Sequence, residues 1–135
     1  MNRKPRILVV DYEEIVRRSY CRVLSGAQCN TAAALNGEDA LQAMKRESFD
    51  VVLLDLRMPG PDGMTVLKSI KEKWPQSEVV VITGYPTIET AKEAVRLGAY
   101  DYLAKPVDPD KVVNTAQGAV MHQRLALLAV RGAEG

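Results

Sequence analysis

Four residues with complementary chemistry stand at the ends of short apolar runs: Asp11 after RILVV, Asp55 after DVVLL, Thr83 after EVVVI and Lys105 after YLA. Two carboxylates, a hydroxyl and an ammonium gathered on one rim suit the handling of a phosphoryl group. A carboxylate can attack the phosphorus while the lysine and the hydroxyl bind its oxygens. Taken singly, each residue has a plainer role. An aspartate after a strand often caps the next helix, and that role stays open for Asp11 because a helix begins almost at once. It fits Asp55 poorly, since LRMPGPDG places two prolines and two glycines before the next helix and Asp62 is the better cap there. Thr83 alone reads as a backbone-bonded hydroxyl and Lys105 alone as a surface charge. Pro106, however, holds Lys105 in an extended or turn conformation and so aims its side chain.

These four runs, together with QCNTAA, are brief and do not alternate with polar residues, which suits parallel strands covered on both faces. Between them Ile15, Val16, Tyr20, Val23 and Leu24 follow helical spacing. So do Leu41 and Met44, then Leu67, Ile70 and Trp74, then Ile88, Ala91 and Val95. Asn36 and Thr87 are placed to cap the second and fourth helices, Gly98 to end the fourth, and Pro75 follows the third. A last helix is predicted from near Asp108–Asp110 to about Val130. The expected fold is α/β: a flavodoxin-like (βα)5, doubly wound five-stranded parallel sheet of strand order 2-1-3-4-5. Such a sheet binds its ligand at the carboxyl ends of the strands, where the four residues stand. The second strand, ending in AAA, would be an edge.

A chain of 135 residues is the size of one domain. Its net charge of +1 gives no electrostatic case for direct binding to nucleic acid or an anionic membrane. No apolar run approaches the roughly 18 residues of a membrane span, and MNRKPR is followed by too few apolar residues for a signal peptide. The expected location is cytoplasmic. Cys21 and Cys29 lack metal-type spacing and read as reduced thiols. No glycine-rich phosphate loop follows any strand, which argues against a nucleotide-binding or flavodoxin-like enzyme. His122 has no partner at helical spacing and reads as solvated, while Met58 and Met64 read as packing around a loop.

The blocks ILVVD, VVLLDLRMPGPDG, VVVITGY and GAYDYLAKP, in that order and spacing, resemble the receiver domain of two-component response regulators. The resemblance covers about residues 5–125, giving a receiver domain over 1–125 and a C-terminal helical extension or linker tail over 126–135, toward an output domain or a dimer seam. It implies that Asp55 is the phosphoacceptor, served by a sensor histidine kinase, a phosphotransfer protein or a small phosphodonor. It implies that Thr83 and Lys105 bind phosphoryl oxygens, and that Asp11, Asp55 and the Arg57 carbonyl hold Mg²⁺. Tyr102 matches the aromatic that turns inward as the threonine moves, switching the face of fourth helix, fifth strand and fifth helix toward an output domain or a homodimer. Arg57 and Tyr85, two residues past Asp55 and Thr83, match positions flanking the phosphoryl group. The Lys105–Pro106 bond is usually cis in this family. Such a domain is a signalling module, not an enzyme, and assists only its own phosphotransfer and dephosphorylation.

The departure is Tyr12. Receivers usually carry a second acid there, as a direct metal ligand. A neutral phenol is a poor ligand for Mg²⁺, so the site is expected to bind the ion weakly. Glu13 lies one residue too far along and is expected to start the helix. Two functions stay open: a phosphorylatable receiver with weakened metal dependence, and a degenerate receiver that binds partners without being phosphorylated. The presence of Asp55, Thr83 and Lys105 favours the first.

Overall fold

A computed structural model of the chain describes residues 3–134. Five strands and five helices alternate: β1 (Arg6–Val10), α1 (Glu14–Gly26), β2 (Asn30–Ala34), α2 (Gly37–Arg46), β3 (Val51–Asp55), α3 (Gly63–Lys73), β4 (Glu78–Thr83), α4 (Ile88–Arg96), β5 (Asp101–Ala104) and α5 (Pro109–Glu134). The strands form one parallel sheet in the order β2-β1-β3-β4-β5, as expected.

The central strands are apolar on both faces because each face feeds a separate core. Leu8, Val10, Val52, Leu54, Val79 and Val81 pack with residues of α2, α3 and α4, among them Met44, Leu67, Ile70 and Ala94. Their neighbours Ile7, Val9, Val51, Leu53, Val80 and Ile82 pack with Leu24 of α1 and Val112, Ala116 and Val120 of α5. The period-two alternation of a strand does this sorting. Met58 and Met64 pack against the first core, as expected.

The helix ends follow the local chemistry. Asn36, Asp62 and Thr87 accept hydrogen bonds from Asp39, Thr65 and Thr90 backbone N–H groups, and Thr87 forms a full capping box with Thr90. Gly98, at φ +98°, takes the left-handed conformation past the end of α4. Two boundaries differ from expectation. Gln28 and Cys29 belong to the turn closing α1 rather than to β2. Gln28 is left-handed at φ 70°, and Cys29 N–H donates to the Leu24 carbonyl. The last helix continues past Val130 to Glu134 without a break. Both cysteines are free thiols, and burial pushes both upward in pKa. Among the described residues no helix is long and apolar enough to cross a membrane.

Candidate functional site

Parallel register brings the carboxyl ends of β1, β3, β4 and β5 to one rim. Asp55 ends β3 opposite Ile82, Thr83 pairs with Ala104, and the Lys105 N–H donates to the Thr83 carbonyl at 2.8 Å. Asp11 follows β1 directly. Asp11, Asp55 and Thr83 are all buried.

The Lys105 ammonium lies between the two acids, 2.8 Å from Asp11 Oδ2 and 3.3 Å from Asp55 Oδ2. Burial alone would lower the lysine pKa. The hydrogen bond and charge of Asp11, joined by those of Asp55, outweigh it and hold the ammonium above its ordinary value. Asp55 also lies above its ordinary value, which for a carboxylate disfavours the charged form. Burial raises its pKa first, the Asp11 charge raises it further, and the Arg57 N–H and Lys105 only partly offset them. One ammonium is therefore shared unequally by two acids, with Asp11 the closer partner.

The open question of Asp11 as a helix cap is answered by geometry. Glu13 is the N-cap of α1 and makes no side-chain cap. Asp11 Oδ1 accepts the Glu13 N–H at 2.9 Å, closing the loop, and its other oxygen faces Lys105. Arg17, which sequence spacing did not single out, donates one guanidinium nitrogen to the carbonyls of Asp11 and Tyr12 at 2.8 and 2.9 Å. It pins the backbone that aims Asp11. The Tyr12 side chain is exposed. Among the described residues no three His, Cys, Asp or Glu side chains converge as a metal-binding group. The two carboxylates that converge on Lys105 fit Mg²⁺, which is commonly held by one or two carboxylates with waters and substrate phosphate.

On the acceptor loop, Arg57 N–H donates to Asp55 Oδ1 at 3.1 Å. Gly63 opens α3 directly against this strand end, its N–H on the Leu56 carbonyl. A Cβ there would lie 2.9 Å from the Asp55 carbonyl oxygen and overlap the Leu56 backbone. Across the rim, Tyr85 N–H donates to Thr83 Oγ1 at 3.1 Å. The side chains of Arg57 and Tyr85 then meet, the guanidinium carbon 3.9 Å from the ring centroid. The resemblance placed each beside the rim but could not show that they stack.

Tyr102 is half-buried, and its hydroxyl bonds Thr90 Oγ1 at 2.5 Å and accepts the Thr87 N–H at 3.3 Å. It is thereby tied to the cap that starts α4. The Lys105–Pro106 peptide is cis. His122 is exposed, as expected, and it also has a partner that spacing could not show. Its Nδ1 lies 2.5 Å from Oε2 of the buried Glu78, and its ring is tilted against Tyr100 with centroids 5.4 Å apart. That pairing crosses 44 residues of sequence and sits at the opposite end of the sheet from the rim.

Comparison with known proteins gives one family. A model described as response regulator receiver domain matches residues 7–117. The chain is 37% identical over 116 residues to the DNA-binding transcriptional regulator NtrC of Escherichia coli K12, covering 86% of this chain and 25% of that protein. It is 42% identical over 120 residues to the transcriptional regulatory protein ZraR of the same strain, covering 86% and 26%. The crystal structure of the receiver domain of NtrX from Brucella abortus superposes with a TM-score of 0.80 at 37% identity, covering 85% of this chain and 98% of that one. The chain spans about a quarter of the length of the curated relatives it matches.

Proposed function

Because the chain belongs to the response regulator receiver family of two-component signalling, we propose that it accepts a phosphoryl group on Asp55 from a sensor histidine kinase or a phosphotransfer protein. The observation that carries this reading is the Lys105 ammonium seated on Asp11 and Asp55 together. An Asp55 oxygen forms the new bond to phosphorus as the bond from phosphorus to the donor's nitrogen, or to the acyl oxygen of acetyl phosphate, breaks. The electron pair of the broken bond leaves with the donor. Asp11, at 2.8 Å, keeps the ammonium at the rim while the looser 3.3 Å contact to Asp55 gives way. Lys105 is then free to bind a phosphoryl oxygen, and the Thr83 hydroxyl turns to donate to another.

Receiver domains generally bind Mg²⁺ at this acidic site, and here Asp11, Asp55 and the Arg57 carbonyl would hold it. The ion neutralises charge on the transferring group. With Tyr12 in place of an acid, the chain's own cations carry a larger share of that task.

Switching follows from the Tyr102 contact. A hydroxyl shared with Thr90 and Thr87 couples β5 to the start of α4. A turn of Thr83 toward the phosphoryl group and of Tyr102 inward would rebuild the α4-β5-α5 face. Exposed Ile88 and Val95 give that face the apolar character of a protein contact, to an output domain or a second copy.

The exposed Tyr12 favours one other reading, a receiver that binds partners without being phosphorylated. Intact mass after acetyl phosphate with and without Mg²⁺ separates the two. Wild type gaining one phosphoryl group and Asp55→Asn gaining none supports the acceptor reading. Equal labelling of the variant refutes the site, and no labelling of either leaves the interaction module. NMR shifts confined to the rim in the labelled protein would refute the α4-β5-α5 switch.

A further inference from the structure

Arg17 is half-buried near the start of α1, and among the described residues it forms no ion pair. Its neighbour Arg18 is exposed and pairs with Glu14. Arg17 instead turns one guanidinium nitrogen back along the helix, 2.8 Å from the Asp11 carbonyl and 2.9 Å from the Tyr12 carbonyl. Helix stability does not account for this placement. A cation at the N-terminal end of a helix works against the helix dipole, and Glu13 at the N-cap makes no side-chain cap. What the guanidinium holds is the loop that carries Asp11. Apart from it, the Asp11 N–H donates to Ala34 on the edge strand at 3.1 Å, and the Glu13 N–H donates to Asp11 Oδ1 at 2.9 Å. The other Asp11 oxygen receives Lys105, more closely than Asp55 does.

We propose that Arg17 is a positioning residue for phosphotransfer. By holding the Asp11 and Tyr12 carbonyls it fixes the Asp11 carboxylate at the rim. It thereby sets how firmly Mg²⁺ is held and how the Lys105 ammonium is divided between Asp11 and Asp55. The inference rests on Asp55 being the acceptor. With Tyr12 exposed where an acid usually stands, Asp11 is the one carboxylate this loop brings to Lys105, and no second acid beside it compensates if it draws back. Lys105 would then settle on Asp55, and the acceptor would have to break a tighter contact before its oxygen attacks. Groups that orient a metal ligand from behind typically change metal affinity or activity by about 10- to 100-fold when removed.

An arginine that only stabilises the fold predicts a different pattern: its loss lowers the melting temperature, and any equally destabilising change does the same to the site. Ser77→Ala supplies that comparison, since it removes a buried hydrogen bond to the Phe49 carbonyl at the other end of the sheet.

The test uses the whole chain. Calorimetry measures Mg²⁺ affinity, NMR of metal-free protein follows the Glu13 amide and the Lys105 Nζ signal, and intact mass follows labelling by acetyl phosphate. Arg17→Ala should bind Mg²⁺ about tenfold more weakly, shift both metal-free signals and label more slowly. Arg17→Lys, which keeps a charged nitrogen on a shorter side chain, should recover part of each effect, and it carries the comparison if Arg17→Ala does not fold. Ser77→Ala should keep wild-type affinity and signals whatever it loses in melting temperature. Wild-type affinity and wild-type metal-free signals in the Arg17 variants would overturn the inference, even if they melt lower, while leaving Asp55 as acceptor. So would Ser77→Ala weakening Mg²⁺ binding as much as Arg17→Ala. Wild type that takes no label overturns the acceptor reading, and the Mg²⁺ titration and metal-free signals still decide whether Arg17 aims Asp11.

Discussion

Replacing Tyr12 by aspartate restores the acid that the family usually carries, and its two consequences have opposite signs. In metal-free protein Asp11 and Asp55 already share the single Lys105 ammonium at 2.8 and 3.3 Å. Arg17, the cation bonded to this loop, is engaged by the Asp11 and Tyr12 carbonyls. A third carboxylate therefore adds to two that already share one ammonium. Two like charges about 4 Å apart repel by ~1 kcal/mol in water and by more in a less polar setting. Position 12 is 54% exposed, so the water-like figure is the appropriate one. The variant should then melt ~3 °C lower in EDTA. With Mg²⁺ the same charge attracts a dication, which doubles the magnitude and reverses the sign, giving ~2 kcal/mol and roughly thirtyfold tighter binding. Calorimetric Mg²⁺ titration, paralleled by amide shifts of Glu13 and Arg57, measures this directly. Both amides donate to the carboxylates concerned, whereas Trp74, at the C-cap of α3, lies at the other end of the sheet. Asp55 labelling at limiting Mg²⁺ should accelerate in step. Equal Mg²⁺ affinities in Tyr12→Asp and wild type would refute the reasoning, because Glu13 or solvent would then be filling the ligand's place.

Asp55→Asn should raise the melting temperature of metal-free protein at pH 7. Burial holds the Asp55 pKa above that of an ordinary aspartate, so its ionisation costs more in the folded state than in the unfolded chain. That penalty is present above the folded pKa and disappears as pH falls below the unfolded one, at about 1.4 kcal/mol per unit of elevation. Urea unfolding at pH 7 and at progressively lower pH should show the advantage of the variant shrinking, and a constant difference would contradict the assignment. Gly63→Ala should destabilise by about 1–3 kcal/mol, since its Cβ meets the backbone of Leu56 and Asp55 rather than a flexible side chain. Denaturant midpoints check the stability, and phosphorylation should slow as the acceptor shifts. A variant as stable as wild type would mean that the loop yields without cost.

The alternation of short apolar runs with helical periodicity was sufficient to specify the layers and which residues end each strand, while the strand order came with the flavodoxin-like fold class. The helix caps Asn36, Asp62 and Thr87 were legible because a cap is a bond between neighbours in sequence. That Asp11, Asp55, Thr83 and Lys105 share one rim was also legible, since parallel strands must end at the same edge. The tertiary structure alone decided how the charges are divided there. Lys105 meets Asp11 across 94 residues and Asp55 across 50, and the closer contact goes to the acid that is not the proposed acceptor. The grip of Arg17 on the loop carbonyls, the stack of Arg57 on Tyr85 and the pairing of His122 with buried Glu78 were likewise absent from any pattern in the chain. Periodicity records which face of an element is apolar. It carries no record of the rotamers and loop paths that bring polar side chains from separate elements within 3 Å of one another, because those are set by packing only after the sheet has closed its register.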